Sequence, residues 1–357
     1  MAAGGLTGTL LLAGAAVCLT SGCSTLGFYT QAAGGHLALV QKARPVTDWL
    51  ADPATPVALR ERLQLTQRMR DFAVTELKLP DNGSYRRYAD LQRSAVVWNV
   101  VATPELALTL KTWCFPVMGC VGYRGYFSRQ PADAVAAELR ADGWESDVYG
   151  VPAYSTLGWT SWLGGDPLLN TFVNWPEGEL ARLLFHELAH QVAYAADDTT
   201  FNESFAVAVE RIGGARWLQL HATQAVREEM AVQERRRQDF RMLTQRTRQR
   251  LQAVYGSAQP DSAKRQAKAD AMALLRSEYA ALKAERWAGF QGYDAWVARA
   301  NNASFGVQAA YDDLVPAFER LFDASGRDFN RFYIQVKALA ALPRDQRRAR
   351  LAGAAPD

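Results

Sequence analysis

Two histidines and a glutamate lie within one short stretch of the chain, and their spacing suits metal binding. Of four histidines in the sequence, His186 and His190 are one helical turn apart, with Glu187 between them. Residues four apart on a helix project from the same face, so both imidazoles could reach one ion. Glu187 is rotated away from that face and could take a proton from a water molecule on the ion. The stretch therefore predicts a metal site that activates water.

The apolar pattern of the segment indicates a helix independently. Leucines recur at helical spacing over 180–188, and Pro176 is typical of a helix start. On a helix, H-E-x-x-H is the pattern in which two histidines bind zinc and the glutamate is the general base of a metalloprotease. We therefore expect His186 and His190 to bind Zn²⁺ and Glu187 to act as the base.

The third metal ligand has several candidates. Four acidic residues follow within reach along the chain, namely Asp197, Asp198, Glu203 and Glu210. Thr200 or Asn202 could cap the next helix, which would put Glu203 in its first turn and free to point at the metal. Asp198 is the second choice, as a ligand or as a hydrogen-bond partner of a ligand imidazole. Glu210 is two turns after Glu203 on the same face. We expect its carboxylate to contact a metal ligand rather than to bind the metal itself.

The candidate ligand segment resembles that of zinc aminopeptidases of the gluzincin clan. Residues 202–206 read Asn-Glu-Ser-Phe-Ala, and Glu210 follows, as in the signature N-E-[GS]-F-A-x-x-x-E. The resemblance implies that Glu203 is the third zinc ligand beside the two histidines and that Glu187 is the base.

More of the chain resembles a family of bacterial lipoproteins described as putative aminopeptidases. The stretches that carry this resemblance are 113–120, 123–127, 150–159, 166–171 and the zinc segment. It covers most of the chain after residue 24. It implies zinc-dependent peptide hydrolysis at the bacterial cell envelope and leaves open whether cleavage is at the amino terminus or internal.

The amino terminus has the features of an export signal. Residues 6–20 are apolar or small, and Ser21-Gly22-Cys23 follows, which favours a secretory signal over a membrane span. Residues 19–23 resemble a lipoprotein processing box, which implies acylation of Cys23. We expect an exported protein on the periplasmic side of a bacterial membrane, lipid-anchored through Cys23. The alternatives are an uncleaved anchor or a start codon assigned too far downstream.

Two cysteines remain in the mature part of the chain, Cys114 and Cys120. In an oxidising compartment this pair could close a small disulfide loop, and the alternative is that it contributes to metal binding. The spacing fits no common zinc knuckle, so we favour the disulfide.

Length and pattern predict an α+β protein that is predominantly α. The chain has 357 residues and a net charge of +3, too small to indicate a nucleic-acid partner. The expected organisation is a signal peptide (1–22), a tether with an N-terminal helix (23–54), a small α+β unit (55–160) and a helical zinc-site domain (161–357). In that last domain, the helix that begins near Glu203 should be interrupted at Gly213-Gly214. A helical hairpin should follow at about 223–287.

A strand near residues 148–157 could align a peptide substrate as an added strand. Tyr154 in that strand, or Tyr311 on a downstream helix, could donate a hydrogen bond to the oxyanion. The alternative function is a non-catalytic envelope lipoprotein with a structural zinc or a partner-binding role. Structural zinc usually has four protein ligands, and only three stand out here, which favours the peptidase.

Overall fold

The computed structural model describes residues 27–115, 119–153 and 165–353, apart from the side chains of 310–312. These residues form an α+β fold that is predominantly helical, with small sheets, which confirms the predicted fold class. Cys23, Tyr154 and the expected signal segment lie outside the described residues. No helix in the described part is both long enough and apolar enough to cross a membrane.

The first part of the chain is helical and contributes one small sheet. Its helices are α1 (27–42), α2 (Val46–Ala51) and α3 (Val57–Thr75). The sheet has the order β1 (Arg44–Pro45), β2 (Arg87–Ala89) and β8 (Leu168–Leu169). Strand β8 brings the chain back beside β2 in parallel orientation, directly before the helix that carries the histidines.

A second sheet has the central strand β3 (Val97–Pro104), with β6 (Arg124–Tyr126) and β7 (Trp144–Val151) antiparallel on its two sides. Helix α4 (Arg129–Ala141) packs on this sheet through fully buried alanines at 132 and 136. Small side chains allow the helix to approach the strands closely. Strand β7 forms an edge of the sheet, as far as the described residues show.

A short hairpin joins β4 (Trp113–Phe115) and β5 (Gly119–Val121). Its strands carry Cys114 and Cys120, which face each other and form the favoured disulfide. The ring of Phe28 on α1 stacks on Phe115 of the hairpin at 5.0 Å between centroids. The backbone N–H of Cys120 donates to the Asp197 carboxylate over 2.5 Å. The hairpin is thereby held between α1 and the loop that leads to Glu203.

Two packed helices form the centre of the molecule, α5 (Glu177–Ala189) and α6 (Thr199–His221). Phe185 of α5 and Phe205 of α6 are fully buried, and each such side chain stabilises the fold by about 1.5–3 kcal/mol. The predicted pause at Gly213-Gly214 is wrong, because α6 continues through both glycines. A Cβ on Gly213 would lie 2.6 Å from the side chain of Leu77. The glycines therefore permit close packing rather than a break.

The predicted helical hairpin is present as α7 (Gln224–Gly256) and α8 (Asp261–Glu285). Lys268 of α8 binds the backbone oxygen of Glu105 at 2.9 Å and the carboxylate of Glu145 on β7, while α7 packs against α5. The hairpin thus connects the central helices with the sheet. The remaining helices are α9 (Asp294–Arg299), α10 (Asn302–Asp312), α11 (Val315–Ala324), α12 (Phe329–Ala340) and α13 (Arg344–Ala352).

Candidate metal centre

Helix α5 sets the direction of both candidate histidine ligands. It begins after Pro176, and the carboxylate of Glu177 in its first turn accepts a hydrogen bond from the Trp217 indole at 3.0 Å. Leucines 180, 184 and 188 are completely buried, so they fix the rotation of the helix. His186 lies in its last turn and His190 is the residue that ends it. Both imidazoles are consequently held on one side of the C-terminal end of α5.

Three donor atoms from two helices form a compact triangle. The Nε2 atoms of His186 and His190 are 3.2 Å apart. Glu203 Oε2 lies 3.4 Å from Nε2 of His186 and 3.6 Å from Nε2 of His190. Ligands at about 2.0–2.1 Å from a tetrahedral zinc ion lie roughly 3.3 Å from one another. The triangle therefore has the dimensions of one face of a zinc coordination tetrahedron.

The loop between the second and third of these donors is closed by one side chain. The amide of Asn202 donates to the backbone oxygen of Ala195 at 2.9 Å and accepts from its N–H at 2.8 Å. We call this two-bond contact the Asn202 clasp. It fixes the first turn of α6, and with it Glu203, relative to the end of α5.

The residue that caps α6 differs from the prediction. The prediction that Thr200 or Asn202 caps this helix is wrong. Asp198 caps the helix, and its carboxylate accepts from the Phe201 N–H at 3.1 Å. The amide of Asn202 is unavailable for capping because both of its polar atoms are used in the clasp.

The two residues after Glu203 anchor the same turn to the interior. The Ser204 hydroxyl, which is fully buried, accepts a hydrogen bond from the backbone N–H of Leu314 at 3.2 Å. Phe205 packs against Phe318 of α11 with ring centroids 5.7 Å apart. In this segment Asn202 closes the loop and Glu203 supplies the donor atom. Ser204 binds the backbone before α11, and Phe205 packs in the core.

The chemistry of the three donors fits a metal ion. Two imidazoles and a carboxylate are the ligand set of many catalytic zinc sites, and these three are the one His/Cys/Asp/Glu group of that compactness in the described residues. The Oε2 atom of Glu203 is buried without a hydrogen-bond partner. A buried, unsatisfied carboxylate oxygen is costly unless something positive meets it. The site therefore fits a cation at the centre of the triangle.

Opposite charges at the triangle shift the pKa values of His186 and Glu203. Burial would lower the pKa of His186, but the nearby carboxylates of Glu203 and Glu210 outweigh it and raise that pKa well above the usual value. Burial would raise the pKa of Glu203, but His190 and His186 outweigh it and lower that pKa. A metal has to displace the proton of His186, since only the neutral imidazole is a ligand.

Glu187 has the environment of a general base. It is buried beside the triangle without contributing a donor atom to it. Burial raises its pKa, the nearby imidazoles of His186 and His190 oppose the shift, and the carboxylates of Glu203 and Asp166 add to it. A carboxylate whose pKa is raised towards neutrality is a better proton acceptor at neutral pH.

The other acidic candidates lie in three different places. Glu210 Oε2 is 2.9 Å from Nδ1 of His186, on the side of the ring away from the triangle. Asp198 lies at the cap of α6, where its carboxylate binds Arg347 and Arg348 of α13 rather than an imidazole. Asp197 contacts the disulfide hairpin. The structure therefore places Glu210, of these three, against a candidate ligand.

The two tyrosines singled out from the sequence cannot be located at the site. Tyr154 lies outside the described residues, and Tyr311 falls in α10 with a side chain outside them. Three other tyrosines lie close to the site, namely Tyr123, Tyr149 and Tyr194. Burial raises the pKa of each, to about 12 for Tyr149, and the charge of Glu203 adds to all three shifts. Tyr123 is also influenced by Glu187.

Sequence reasoning missed these three tyrosines because the chain brings them from separate elements. Tyr123 follows β5, Tyr149 lies on β7, and Tyr194 lies in the loop after α5. The sequence held a signal for Tyr123 alone, which is three residues after Cys120. The disulfide expected at Cys120 restrains the residues that directly follow it.

Comparison with protein families matches residues 27–351 to the family described as "Putative aminopeptidase". The match spans all the elements that build the triangle. No curated protein and no solved structure matches the chain.

Proposed function

Since the chain belongs to the family described as "Putative aminopeptidase", we propose that it hydrolyses peptides with a zinc ion held by His186, His190 and Glu203. The observation that carries this proposal is the donor triangle, whose edges of 3.2, 3.4 and 3.6 Å suit zinc. The described cluster offers three protein donors, which leaves a coordination position for water or substrate, as in catalytic rather than structural sites.

The residues divide the chemistry between them. Zinc bound at the triangle would polarise the scissile carbonyl and make water nucleophilic near neutral pH. Glu187 accepts the proton of the attacking water and passes it to the leaving amine. A tyrosine hydroxyl donates to the developing oxyanion, and we assign this role to Tyr123. This residue directly follows the hairpin that Asp197 binds in the loop leading to Glu203, and the charges of Glu203 and Glu187 add to the rise of its pKa.

The substrate backbone has a suitable partner in strand β7. It is an edge strand in the described residues, and its residue Tyr149 is close enough to the site for the charge of Glu203 to raise its pKa. A peptide added antiparallel or parallel to this edge would run past the triangle. Asn301 already binds the backbone oxygen of Ser146 on this strand. Hydrogen bonds to the rest of the β7 backbone would hold the peptide without selecting its sequence.

We also propose that the protein acts at the bacterial cell envelope, exported and lipid-anchored through Cys23. The apolar segment over 6–20 and the cysteine after it support this location. The disulfide between Cys114 and Cys120 agrees with an oxidising compartment.

Metal analysis and a peptide-library digest of the purified protein test the proposal. We expect one zinc per chain and cleavage of peptides, with the cleavage positions deciding between exopeptidase and endopeptidase activity. Glu187→Gln should keep its zinc and lose about 10²-fold or more of the rate. Glu138→Gln, at an exposed position on α4, is the control and should match the wild type.

Two results would contradict the proposal. Zinc without turnover of any peptide would favour the alternative, a non-catalytic envelope lipoprotein. Cleavage by Glu187→Gln at the wild-type rate would exclude Glu187 as the base, even if zinc were present.

A further inference from the structure

A buried arginine lies behind the metal centre. Arg182 precedes His186 by one turn of α5, so the two side chains project from the same face of that helix. Arg182 is only 8% exposed. A Cβ on Gly214 of α6 would lie 2.7 Å from its Cγ atom. The glycine thus leaves the space through which the arginine stem passes between the two helices.

The guanidinium of Arg182 and the ring of His186 share one carboxylate. Arg182 donates from Nε (3.2 Å) and Nη2 (2.8 Å) to Oε1 of Glu210. The other oxygen, Oε2, lies 2.9 Å from Nδ1 of His186. One oxygen therefore anchors the carboxylate, and the other orients the ring. Glu210 cannot turn away from His186 without breaking two charge-assisted hydrogen bonds.

A third helix holds the arginine in turn. The remaining nitrogen, Nη1, donates to Oε2 of Glu234 on α7 at 2.8 Å. Glu234 also binds Arg237 and Arg241 of its own helix, both at 3.1 Å. The position of Arg182 is thereby fixed from the α7–α8 hairpin as well as from α6.

We propose that Arg182 is a positioning residue of the metal centre, which locks Glu210 against His186 and is itself held by Glu234. The proposal rests on the proposed function, because the ring that it orients is a proposed zinc ligand. A carboxylate behind a ligand imidazole fixes its orientation and tautomer, and losing such support typically weakens metal binding 10–100-fold. Arg182 does not touch the imidazole of His186. It acts through Glu210, whose carboxylate it holds in place.

The planar fork of arginine is the property that matters. Two of its nitrogens reach the same oxygen of Glu210 and a third reaches Glu234, all in fixed directions. A lysine would retain the positive charge but not this arrangement. Arg182→Lys therefore distinguishes two roles. It should impair the site if Arg182 positions Glu210, and leave it unchanged if Arg182 only neutralises the two acidic side chains.

Competition with a chelator measures the zinc affinity of the full-length variants. We expect Arg182→Lys to weaken zinc binding about 10-fold, and to alter the visible spectrum of the Co²⁺-substituted protein, which reports ligand geometry. The control is Arg250→Lys, because Arg250 also makes two hydrogen bonds to one glutamate, Glu278 within the hairpin, at 2.8 and 3.2 Å. It should leave affinity and spectrum unchanged.

A second pair of variants covers the case in which Arg182→Lys does not fold. Glu234 has a partly exposed side chain, so Glu234→Gln should fold and weaken zinc binding several-fold. Glu278→Gln, which also removes a charge that accepts from an arginine across the hairpin, is its control and should have no effect.

The outcomes separate this inference from the proposed function. If the wild-type protein binds no zinc, the proposed function fails. If the wild type binds zinc and the folded Arg182 or Glu234 variants bind it within twofold of the wild type with unchanged Co²⁺ spectra, Arg182 does not position the site.

Discussion

Asp198 and Arg347 form a buried ion pair with 2.7 Å between Oδ2 and Nη1, and both side chains are 5% exposed or less. Arg348 donates to both oxygens of the same carboxylate, to Oδ1 at 2.5 Å and to Oδ2 at 3.2 Å. The pair joins the cap of α6 to α13, the last helix of the described chain. The first turn of the helix that carries Glu203 is therefore fixed by residues near the carboxyl terminus.

Removing the Asp198 carboxylate should destabilise the protein strongly. In Asp198→Ala, Arg347 would be left as a buried charge without its partner, and such losses cost about 3–5 kcal/mol of unfolding free energy. Urea unfolding of wild type and variant measures the difference. Asp323→Ala is the control, because its contact with Arg327 is well exposed and should matter little. Equal unfolding midpoints for wild type and Asp198→Ala would contradict the assignment.

The same pair predicts how stability depends on pH. Burial would raise the pKa of Asp198, but hydrogen bonds from Arg348 and Arg347 outweigh it and lower that pKa below the unfolded value of 3.8. A depressed folded-state pKa contributes stability above the unfolded pKa, and this contribution is lost as the pH falls further. The stability difference between wild type and Asp198→Asn should thus be constant near neutrality and shrink below about pH 4. Unfolding curves from pH 7 to pH 3 test this, and a difference that grows on acidification would contradict it.

Replacing the carboxylate of the triangle should remove the metal. In Glu203→Gln a neutral amide takes the place of the anionic donor that lies between both imidazoles. We expect zinc affinity to fall by more than about 100-fold, the upper end for losses outside the ligand set. Metal content after dialysis against a weak chelator is the measurement. Full zinc retention in Glu203→Gln would mean that another residue supplies the third ligand.

The oxyanion assignment can be tested among the tyrosines. Tyr123→Phe should lower kcat by about 10²–10³-fold with little change in KM, because the lost hydrogen bond forms in the transition state. Tyr126→Phe is the control, since Tyr126 packs beside Phe28 on the hairpin side. A larger loss of kcat in Tyr154→Phe or Tyr311→Phe would transfer the role to one of the two tyrosines predicted from the sequence.

The local parts of the candidate site were predictable from the sequence. Helical spacing places His186 and His190 on one face, and the segment after Asn202 indicated Glu203. The hairpin of α7 and α8 followed from long helical stretches around a turn. These features depend on residues close together in sequence, where periodicity and turn chemistry are informative.

Contacts between distant segments could not be read in this way. The cap of α6 was assigned to the wrong residue because Asp198 owes its position to Arg347 and Arg348, far along the chain. The glycines 213 and 214 indicated a break, whereas they make room for Leu77 and Arg182. At the glycines a tertiary contact overrides the local preference of the residue type. At the cap of α6 the tertiary contact selects one of several residues that all favour this position.

The Asn202 clasp bears on which related chains could build the same triangle. Because Asn202 ties itself to Ala195, the position of Glu203 depends on the register of that closed loop. The stretch between His190 and Ala195 is also held in place, since Ala193 is buried in the core. An insertion in either part would shift Glu203 relative to the two histidines. A search pattern for such sites should therefore fix the length of both parts, before the clasp and within it.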